Sequence, residues 1–237
     1  MTYEEAYRKL SPVGQEHLLE YYEELNGQEK KSLLQQIEEL DISLLDLTKD
    51  GVKEVPKGKL APLGALTLEE IDNKKEEFEA IGMEAIKACK VGAVLLAGGQ
   101  GTRLGLDKPK GMLQIGVHRE LFLFGQLINN LLEVVRKADA WIPLLIMTSE
   151  KNNEDTVSFF KEHDYFGYNK DYVFFFQQEM APSVSYDGKI YMEEKYKLST
   201  SPNGNGGWFS SLVKAGLTEK LAKMGVEWLN IFSVDNV

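Results

Sequence analysis

The chain has 237 residues, of which 43% are hydrophobic, a single cysteine and a formal net charge of −10 at pH 7. This length and composition predict one large or two small globular domains, and the acidic balance argues against binding to nucleic acid or to an acidic membrane. No apolar run approaches the roughly 18 residues that a membrane-spanning helix needs. The N-terminus lacks signal-peptide features and Cys89 stands alone, so we expect a cytoplasmic protein that uses neither a membrane nor a nucleic acid.

The first 66 residues are expected to form a helical segment that ends in a linker. Thr2-x-x-Glu5 has the spacing of a capping box, and Ser11-Pro12 has the pattern of a second helix start. The helical spacing of apolar residues then predicts that this second helix continues to Asn26-Gly27, which should stop it. A third helix follows, and the prolines and glycines of residues 48–66 are typical of a linker.

Residues 67–237 are expected to form a nucleotide-binding α/β domain, which opens with a capping box at Thr67. The predicted strands are 93–97, 141–147, 173–176 and a buried strand over 226–234, and the predicted helices are 120–138, 152–163, 207–215 and 218–224. Such alternation indicates βαβ units and a mostly parallel, Rossmann-like sheet that binds ligands at the carboxyl ends of its strands. Asp187-Gly188 also predicts a hairpin with a type I′ turn.

A glycine-rich loop directly follows the first predicted strand. Its glycines and the basic residues near them are Gly98, Gly99, Gly101, Gly105, Arg103, Lys108 and Lys110. Glycines allow backbone N–H groups to converge on a ligand, and the basic side chains add positive charge, so the loop suits a polyphosphate. The loop is not the dinucleotide-binding fingerprint, whose third glycine would fall on Leu104. It also lacks the glycine spacing of the P-loop.

Three later segments carry polar residues suited to a nucleotide. Gln177-Gln178 follows a predicted strand, and a glutamine amide can pair with both a donor and an acceptor on a base. The turn Pro202-Asn-Gly-Asn-Gly-Gly207 can bring backbone N–H groups against a ligand. Asp235 ends the last predicted strand, where a carboxylate can bind Mg²⁺ together with substrate phosphates. The sequence contains no pattern of a catalytic triad, no Asp-x-Asp pair and no His/Cys zinc cluster.

These motifs resemble one family. Leu96-Ala-Gly-Gly-Gln-Gly-Thr-Arg-Leu-Gly105 followed by Pro109-Lys-Gly111, with the three later segments, is similar to the UDP-N-acetylglucosamine branch of the UDP-sugar pyrophosphorylases. The resemblance implies a uridylyltransferase that makes a UDP-sugar and pyrophosphate from UTP and a sugar 1-phosphate, most favourably N-acetylglucosamine 1-phosphate. It also implies a nucleotidyltransferase fold and Mg²⁺-assisted in-line attack on the α-phosphate, in which the enzyme aligns and neutralises two polyanions.

The same resemblance suggests a role for each site residue. It places uridine on Leu96, Ala97, Gly98 and Gly99, uracil also on Gln178 and Gly204, the sugar on Asn205, the phosphates on the catalytic residues Arg103 and Lys110, and the metal on Asp235. Asn203 and Trp208 stand where Asp and a smaller apolar residue are commoner in the family. Neither removes a proposed contact, although Trp208 can alter the sugar pocket.

Two other functions stay open at this point. One is a pyrophosphorylase for glucose 1-phosphate or for several sugars, since much of the family's sugar pocket belongs to the later part of its chain. The other is a non-catalytic nucleotide-binding module built around the N-terminal helices. The presence of Arg103, Lys110 and Asp235 argues against this alternative. Because family members are considerably longer, we also expect the sheet to lack strands after Val234, and this length of chain to be inactive alone but able to bind uridine nucleotide.

Overall fold

The computed structural model describes residues 1–43, 45, 58, 61–101, 105 and 107–235, and the chain divides into two compact units. The first unit comprises Met1–Gly64 and Met180–Ser201, and the second comprises Ala65–Glu179 and Pro202–Val237. The first unit thus takes in residues 180–201, which are distant in sequence from its helices. The division into domains at residue 66 stays a prediction, since these units follow packing rather than chain order.

Helices and strands occur in both units. The α-helices in the described ranges are α1 (Tyr3–Leu10), α2 (Gly27–Glu39), α3 (Leu68–Asn73), α4 (Lys75–Lys87), α5 (Leu123–Ala138), α6 (Asn153–Glu162), α7 (Trp208–Lys214) and α8 (Leu217–Lys223). The strands in those ranges are β1 (Val91–Leu96), β2 (Leu144–Thr148), β3 (Val173–Gln177), β4 (Met180–Pro182), β5 (Met192–Glu194), β6 (Lys197–Leu198), β7 (Thr200–Pro202) and β8 (Trp228–Ser233). Among the helices that the structure describes, none combines the length and the apolar character needed to cross a membrane.

Capping boxes begin two helices where the sequence predicts them. Thr2 caps α1 together with Glu5, and Thr67 caps α3 together with Glu70. Hydrogen bonds from the backbone N–H and the hydroxyl of Thr67 hold the pKa of the Glu70 carboxyl below its usual range. Both predictions are confirmed, because a capping box depends only on residues three positions apart.

Residues 11–25 contain short 3-10 turns instead of the continuous helix that their apolar spacing predicts. Gly14 has φ +67°, a left-handed conformation that ends the first of these turns. Asn26 then caps α2, because its side-chain oxygen accepts from the N–H groups of Gln28 and Glu29. The prediction that Asn26-Gly27 stops a helix is therefore wrong, since this pair begins one.

The core of the first unit joins the N-terminal helices to residues 180–201. Its buried apolar residues include Leu10, Leu18, Leu33, Ile37, Ile190 and Leu198. Gln15 is buried beside them, where it donates to Gly188 O at 2.8 Å and accepts from Ile190 N at 3.0 Å. Apolar packing and these two bonds together account for the position of residues 180–201 in this unit.

The predicted hairpin around Asp187-Gly188 is present, but its turn is not of type I′. Val184 and Ile190 form an antiparallel bridge, and Gly188 N donates to Ser185 O at 3.0 Å. A type I′ turn needs positive φ at both central residues, whereas Gly188 has φ +77° and Asp187 has no positive φ. One left-handed residue fits a three-residue hairpin loop that ends in glycine.

The second unit is built on a parallel sheet with the strand order β3-β2-β1-β8. Val94 of β1 is paired with Leu145 on one side and with Ile231 on the other. Alternate residues of β1 face different clusters: Leu95 packs with residues of α5 and α6, and Val94 packs with residues of α7 and α8. Helices therefore cover both faces of the sheet, and the mostly parallel, Rossmann-like α/β fold with helices before it is confirmed.

Strand β8 is more exposed than the sequence predicts. Its apolar composition indicates a buried strand, yet Trp228 is 68% exposed and Ile231 is 41% exposed. The cause is the position of β8 at the edge of the sheet in the described part of the chain, where it pairs with β1 alone. Composition predicts a strand here correctly, but it carries no information about which strand lies at an edge.

Candidate functional site

The glycine-rich loop leaves the sheet at the carboxyl end of β1 and folds back toward its own start. Ala97 N donates to Met147 O at 2.8 Å, which continues the parallel pairing one residue beyond β1. After the turn, Lys110 N donates to Gly99 O at 3.4 Å. Lys110 thus returns to the first glycines of the loop at the edge of the sheet. Arg103, the other predicted phosphate-binding residue, lies outside the described residues.

The two residues that precede the glycines present only their backbone to this edge. The side chains of Leu96 and Ala97 are buried in the two apolar clusters of the sheet. Leu96 O accepts from Val234 N at 3.2 Å, which ties the start of the loop to the end of β8. A contact of these residues with a ligand must therefore use backbone atoms, as the family resemblance implies.

Asn152 holds the carbonyl groups of the glycine loop. Its side chain is fully buried, and Nδ2 donates to Ala97 O at 3.0 Å and to Gly99 O at 3.3 Å. Its Oδ1 accepts from Ser149 N at 2.7 Å, which fixes the amide to the end of β2. The sequence motifs do not indicate this residue. A short-range signal exists in Ser149-x-x-Asn152 after a strand, but nothing in it indicates a bond to residues more than fifty positions away.

Three N–H groups at the start of the same loop have no acceptor among the residues that the structure describes. Within the described ranges, no acceptor binds the N–H groups of Gly98, Gly99 or Gln100. Gly99 is exposed and Gly98 is half-buried. Unpaired backbone donors at the carboxyl edge of a parallel sheet are the arrangement that binds an anion in many nucleotide sites.

Gln178 is the glutamine of its pair that contacts the loop. It is buried, its N–H donates to Thr148 O at 2.8 Å, and its side-chain Nε2 donates to Gly98 O at 3.4 Å. Gln177 is exposed, because neighbouring residues of a strand point to opposite faces. Gly98 must be glycine for this contact, since a Cβ at that position would overlap the amide of Gln178.

Lys110 and Asp235 form an ion pair at the ends of neighbouring chain segments. The loop brings Lys110 to the carboxyl end of β1, and Asp235 lies two residues after the parallel neighbour β8. The side chain of Lys110 is 31% exposed and that of Asp235 is 55% exposed, so both charges remain open to solvent and to a ligand. The predicted phosphate-binding and metal-binding residues are therefore adjacent.

Asp235 offers one carboxylate to a divalent cation at this edge of the sheet. The described residues contain no group of three or more His, Cys, Asp or Glu side chains that could hold a metal ion. Mg²⁺ commonly takes one or two carboxylates and completes its shell with substrate phosphates and water. Asp235 fits that donor set, and a closed metal site made of protein groups alone does not.

The glycine turn at 203–207 is attached beside Gln178. Asn203 N donates to the carbonyl of Glu179 at 2.9 Å, and Gly204 has φ +77° and ψ −172°, which favours glycine. Asn205 is exposed, and no hydrogen bond in the described residues links Gly204 or Asn205 to the glycine-rich loop. Trp208 is half-buried and packs against the apolar cluster that contains Val94.

A pocket of about 250 Å³ lies elsewhere in the second unit. Its lining residues are Arg119, Glu120, Leu121, Phe122, Gly125, Asn129, His163 and Phe166. None of them belongs to the glycine-rich loop, to the end of β3 or to the turn at 203–207. The groups of the candidate site are identified by their chemistry and by their position at the sheet edge, and none of them lines this pocket.

Comparison with known proteins identifies the family of this chain. Residues 28–237 match the family described as UTP–glucose-1-phosphate uridylyltransferase. UDP-N-acetylglucosamine diphosphorylase 2 of Arabidopsis thaliana is 36% identical, over 97% of this chain and 49% of the relative. A probable UDP-N-acetylglucosamine pyrophosphorylase of Schizosaccharomyces pombe is 35% identical, over 92% of this chain and 48% of the relative. The chain spans about half the length of the curated relatives it matches.

Solved structures show the same likeness. The UDP-N-acetylglucosamine pyrophosphorylase of Trypanosoma brucei, determined with an inhibitor, matches 97% of this chain and 50% of its own with a TM-score of 0.78 and 27% identity. A protein of Entamoeba histolytica described as a UDP-N-acetylglucosamine pyrophosphorylase matches 73% of this chain and 45% of its own with a TM-score of 0.66 and 32% identity. The sheet edge, its motifs and these matches together show that the chain belongs to the UTP–glucose-1-phosphate uridylyltransferase family.

Proposed function

We propose that this chain carries the uridine- and phosphate-binding part of a UTP-dependent uridylyltransferase, which forms a UDP-sugar and pyrophosphate from UTP and a sugar 1-phosphate. The observation that supports it best is the meeting of the glycine-rich loop, Gln178 and the Lys110–Asp235 pair at one sheet edge. Parallel α/β sheets bind ligands at this edge. The groups there supply what uracil and a polyphosphate need: an amide, backbone donors and a cation.

Uridine would lie along the glycine-rich loop. The Nε2 bond of Gln178 to Gly98 O is long at 3.4 Å, so the amide can turn to the uracil edge at little cost. Its oxygen can accept from the uracil N3–H while its nitrogen donates to a neighbouring carbonyl, which selects uracil over bases that lack this pattern. Backbone atoms of Leu96 to Gly99 and of Gly204 would complete the uridine contacts, and Asn205 would contact the sugar.

The phosphates of UTP would replace Asp235 as the partner of the Lys110 ammonium. In the structure the Lys110 ammonium is paired with this carboxylate, and a triphosphate beside the loop offers it more negative charge. Arg103 is proposed as the second phosphate-binding residue, whose guanidinium can bind two oxygens at once. These residues would hold the sugar 1-phosphate in line with the α-phosphate of UTP, so that the reaction needs no protein nucleophile.

Mg²⁺ is the proposed cofactor, held by Asp235 and the substrate phosphates. When bound, it would offset the charge that builds up on the phosphate oxygens during the transfer. Release of Lys110 from Asp235 on nucleotide binding would leave this carboxylate free for the ion. For the sugar we propose N-acetylglucosamine 1-phosphate, because the relatives of greatest similarity cited above are named for that sugar.

Calorimetric titration of the 237-residue chain tests the nucleotide part of the proposal. We expect UTP to bind in the presence of Mg²⁺, and CTP and ATP to bind at least tenfold more weakly. Pyrophosphate release is then measured with N-acetylglucosamine 1-phosphate or glucose 1-phosphate as the acceptor. We expect UTP binding without turnover by this length of chain, and robust turnover would contradict the expectation that it is inactive alone. Equal affinity for all three nucleotides would overturn the assignment to uridine.

Lys110→Ala tests the phosphate contact in the same titration. A hydrogen bond to a charged group contributes about 1.5–3 kcal/mol, so the dissociation constant for UTP is expected to rise about ten- to hundredfold. Lys108→Ala is the matched control, because it removes an exposed lysine from the same loop and should change the constant less than twofold. Equal effects of the two substitutions would show that Lys110 acts only through the net charge of the loop.

A further inference from the structure

Glu179 connects the end of β3 to the glycine turn and to α7 through its backbone and its carboxylate. It directly follows Gln178, its carbonyl accepts from Asn203 N at 2.9 Å, and its N–H donates to Ser211 Oγ at 3.0 Å. Its carboxylate accepts from Ser210 Oγ at 2.6 Å and forms an ion pair with Lys214. The turn before α7 and α7 itself are thus both bound to one residue beside Gln178.

The buried hydroxyl of Ser211 is a further member of this hydrogen-bond network. Ser211 is 2% exposed, and its Oγ donates to Gly207 O at 2.8 Å while accepting from Glu179 N. A serine hydroxyl in a helix often bonds the carbonyl four residues before it. Here the same oxygen also accepts from a residue 32 positions away, so one buried hydroxyl joins the last glycine of the turn to the end of β3.

Other bonds of the turn include that of the Ser210 hydroxyl to Gly207 O at 2.9 Å and, within the turn itself, that of Gly207 N to Gly204 O at 3.3 Å. Residues 203 and 205 are exposed, and glycines at 204, 206 and 207 give this segment high conformational freedom. Gln178 and Gly204 can favour uracil over another base only if the distance between them is fixed. A donor or acceptor that is out of place loses its hydrogen bond with uracil as well, so the difference in affinity disappears. The bonds of Glu179 and Ser211 span this separation.

We propose that Glu179 and Ser211 are positioning residues that fix the turn 203–207 relative to Gln178 and thereby set the preference for uracil. This inference rests on the proposed function, in which Gln178 and Gly204 contact the base. The two residues act through their neighbours and touch no substrate themselves. An anchor that served only to fasten α7 would affect stability and leave the choice of base unchanged.

The experiment compares the affinities of the 237-residue chain for UTP and CTP. Ser211→Ala removes the bridging hydroxyl, and Glu179→Ala removes the bond to Ser210 together with the ion pair. We expect either substitution to lower the ratio of UTP to CTP affinity about tenfold, mostly by weakening UTP. Lys214→Met is the control, since it removes the ion pair and keeps both serine bonds, and it should change the ratio less than twofold. An unchanged ratio in Ser211→Ala with a lowered melting temperature would overturn the proposal.

Hydrogen exchange of the unliganded chain separates failure of this inference from failure of the proposed function. Amides of residues 204–207 are expected to exchange several-fold faster in Ser211→Ala than in Lys214→Met. Unchanged exchange overturns the positioning role whatever the nucleotide results are. If the wild-type chain shows no preference for UTP, the proposed function is overturned. The inferred role of Glu179 and Ser211 in uracil selectivity then falls too, even if hydrogen exchange shows that they hold the turn.

Discussion

Gly98 shows how a single residue of the loop is constrained by its neighbour rather than by its own backbone. The glycines of the loop suggest free backbone conformation, yet Gly98 is not among the residues with positive φ. What excludes a side chain is the amide of Gln178, which occupies the space a Cβ would need. The adjacent Gly99 has nothing within 4 Å of the same position. The two glycines therefore have different roles within one motif.

Gly98→Ala is expected to displace the amide of Gln178, which is the end of a flexible side chain, and to destabilise the second unit by about 1 kcal/mol, the low end of the usual cost of forcing extra atoms into a packed site. Gly99→Ala is the matched control, and it should leave the free energy of unfolding within about 0.5 kcal/mol of the original. Urea denaturation of the unliganded chain measures both. Similar losses in the two variants would mean that backbone freedom, and not the contact with Gln178, explains the glycine at 98.

At the scale of elements, the loop is held by the connection that follows the neighbouring strand. Asn152 stands between β2 and α6, and it binds two carbonyls of the loop after β1. The loop that bears the unpaired N–H groups is thus fixed from its carbonyl side, which preorganises it for a ligand. Asn153, the next residue, bonds Thr148 instead, where its Oδ1 accepts from the hydroxyl at 2.7 Å.

Asn152→Asp is expected to lower the free energy of unfolding by about 2–4 kcal/mol, because it removes both amide donors and places a carboxylate against two carbonyl oxygens. Asn153→Asp makes the same change in charge one residue later and keeps the accepting oxygen at the N-terminus of α6. It should cost less than about 0.5 kcal/mol. Chemical denaturation compares them at pH 7, and equal losses would show that added charge, rather than loss of the donors, is responsible.

At the scale of the whole molecule, the chain packs into units that do not follow its order. Residues 180–201 belong to the first unit with the N-terminal helices, although they lie between β3 and α7 of the second unit in sequence. The buried amide of Gln15 satisfies both Gly188 O and Ile190 N in this association. Removing it leaves a buried acceptor and a buried donor without partners.

Gln15→Ala is accordingly expected to destabilise the first unit by about 2–4 kcal/mol, from two unsatisfied buried groups and the lost packing. Limited proteolysis should then cleave within residues 180–201 faster than in the original chain. Gln35→Ala serves as the control, since Gln35 is exposed and its side chain bonds Glu39 on its own helix. Mass spectrometry of the fragments locates the cuts, and unchanged cleavage in Gln15→Ala would show that apolar packing alone holds the segment.

Much of the fold and part of the candidate site can be predicted from the sequence. The capping boxes at Thr2 and Thr67 are present because they depend on residues three positions apart. The strands of the parallel sheet follow from short apolar runs between helices, and the ends of β1, β3 and β8 carry the residues that the motifs indicate. The binding role of every predicted site residue stays a prediction: Leu96, Ala97, Gly98, Gly99, Arg103, Lys110, Gln178, Gly204, Asn205 and Asp235.

By itself, the sequence determines the α/β class, the order of strands and helices along the chain and the chemical character of each strand end, because hydrophobic period, caps and glycine turns are local properties. Only the tertiary structure decides that Asn152 holds the glycine loop, that the amide of Gln178 lies against Gly98, that residues 180–201 pack on the N-terminal helices and that β8 is exposed. Each of these depends on groups that lie far apart in the chain, and their meeting is set by the path of the folded backbone.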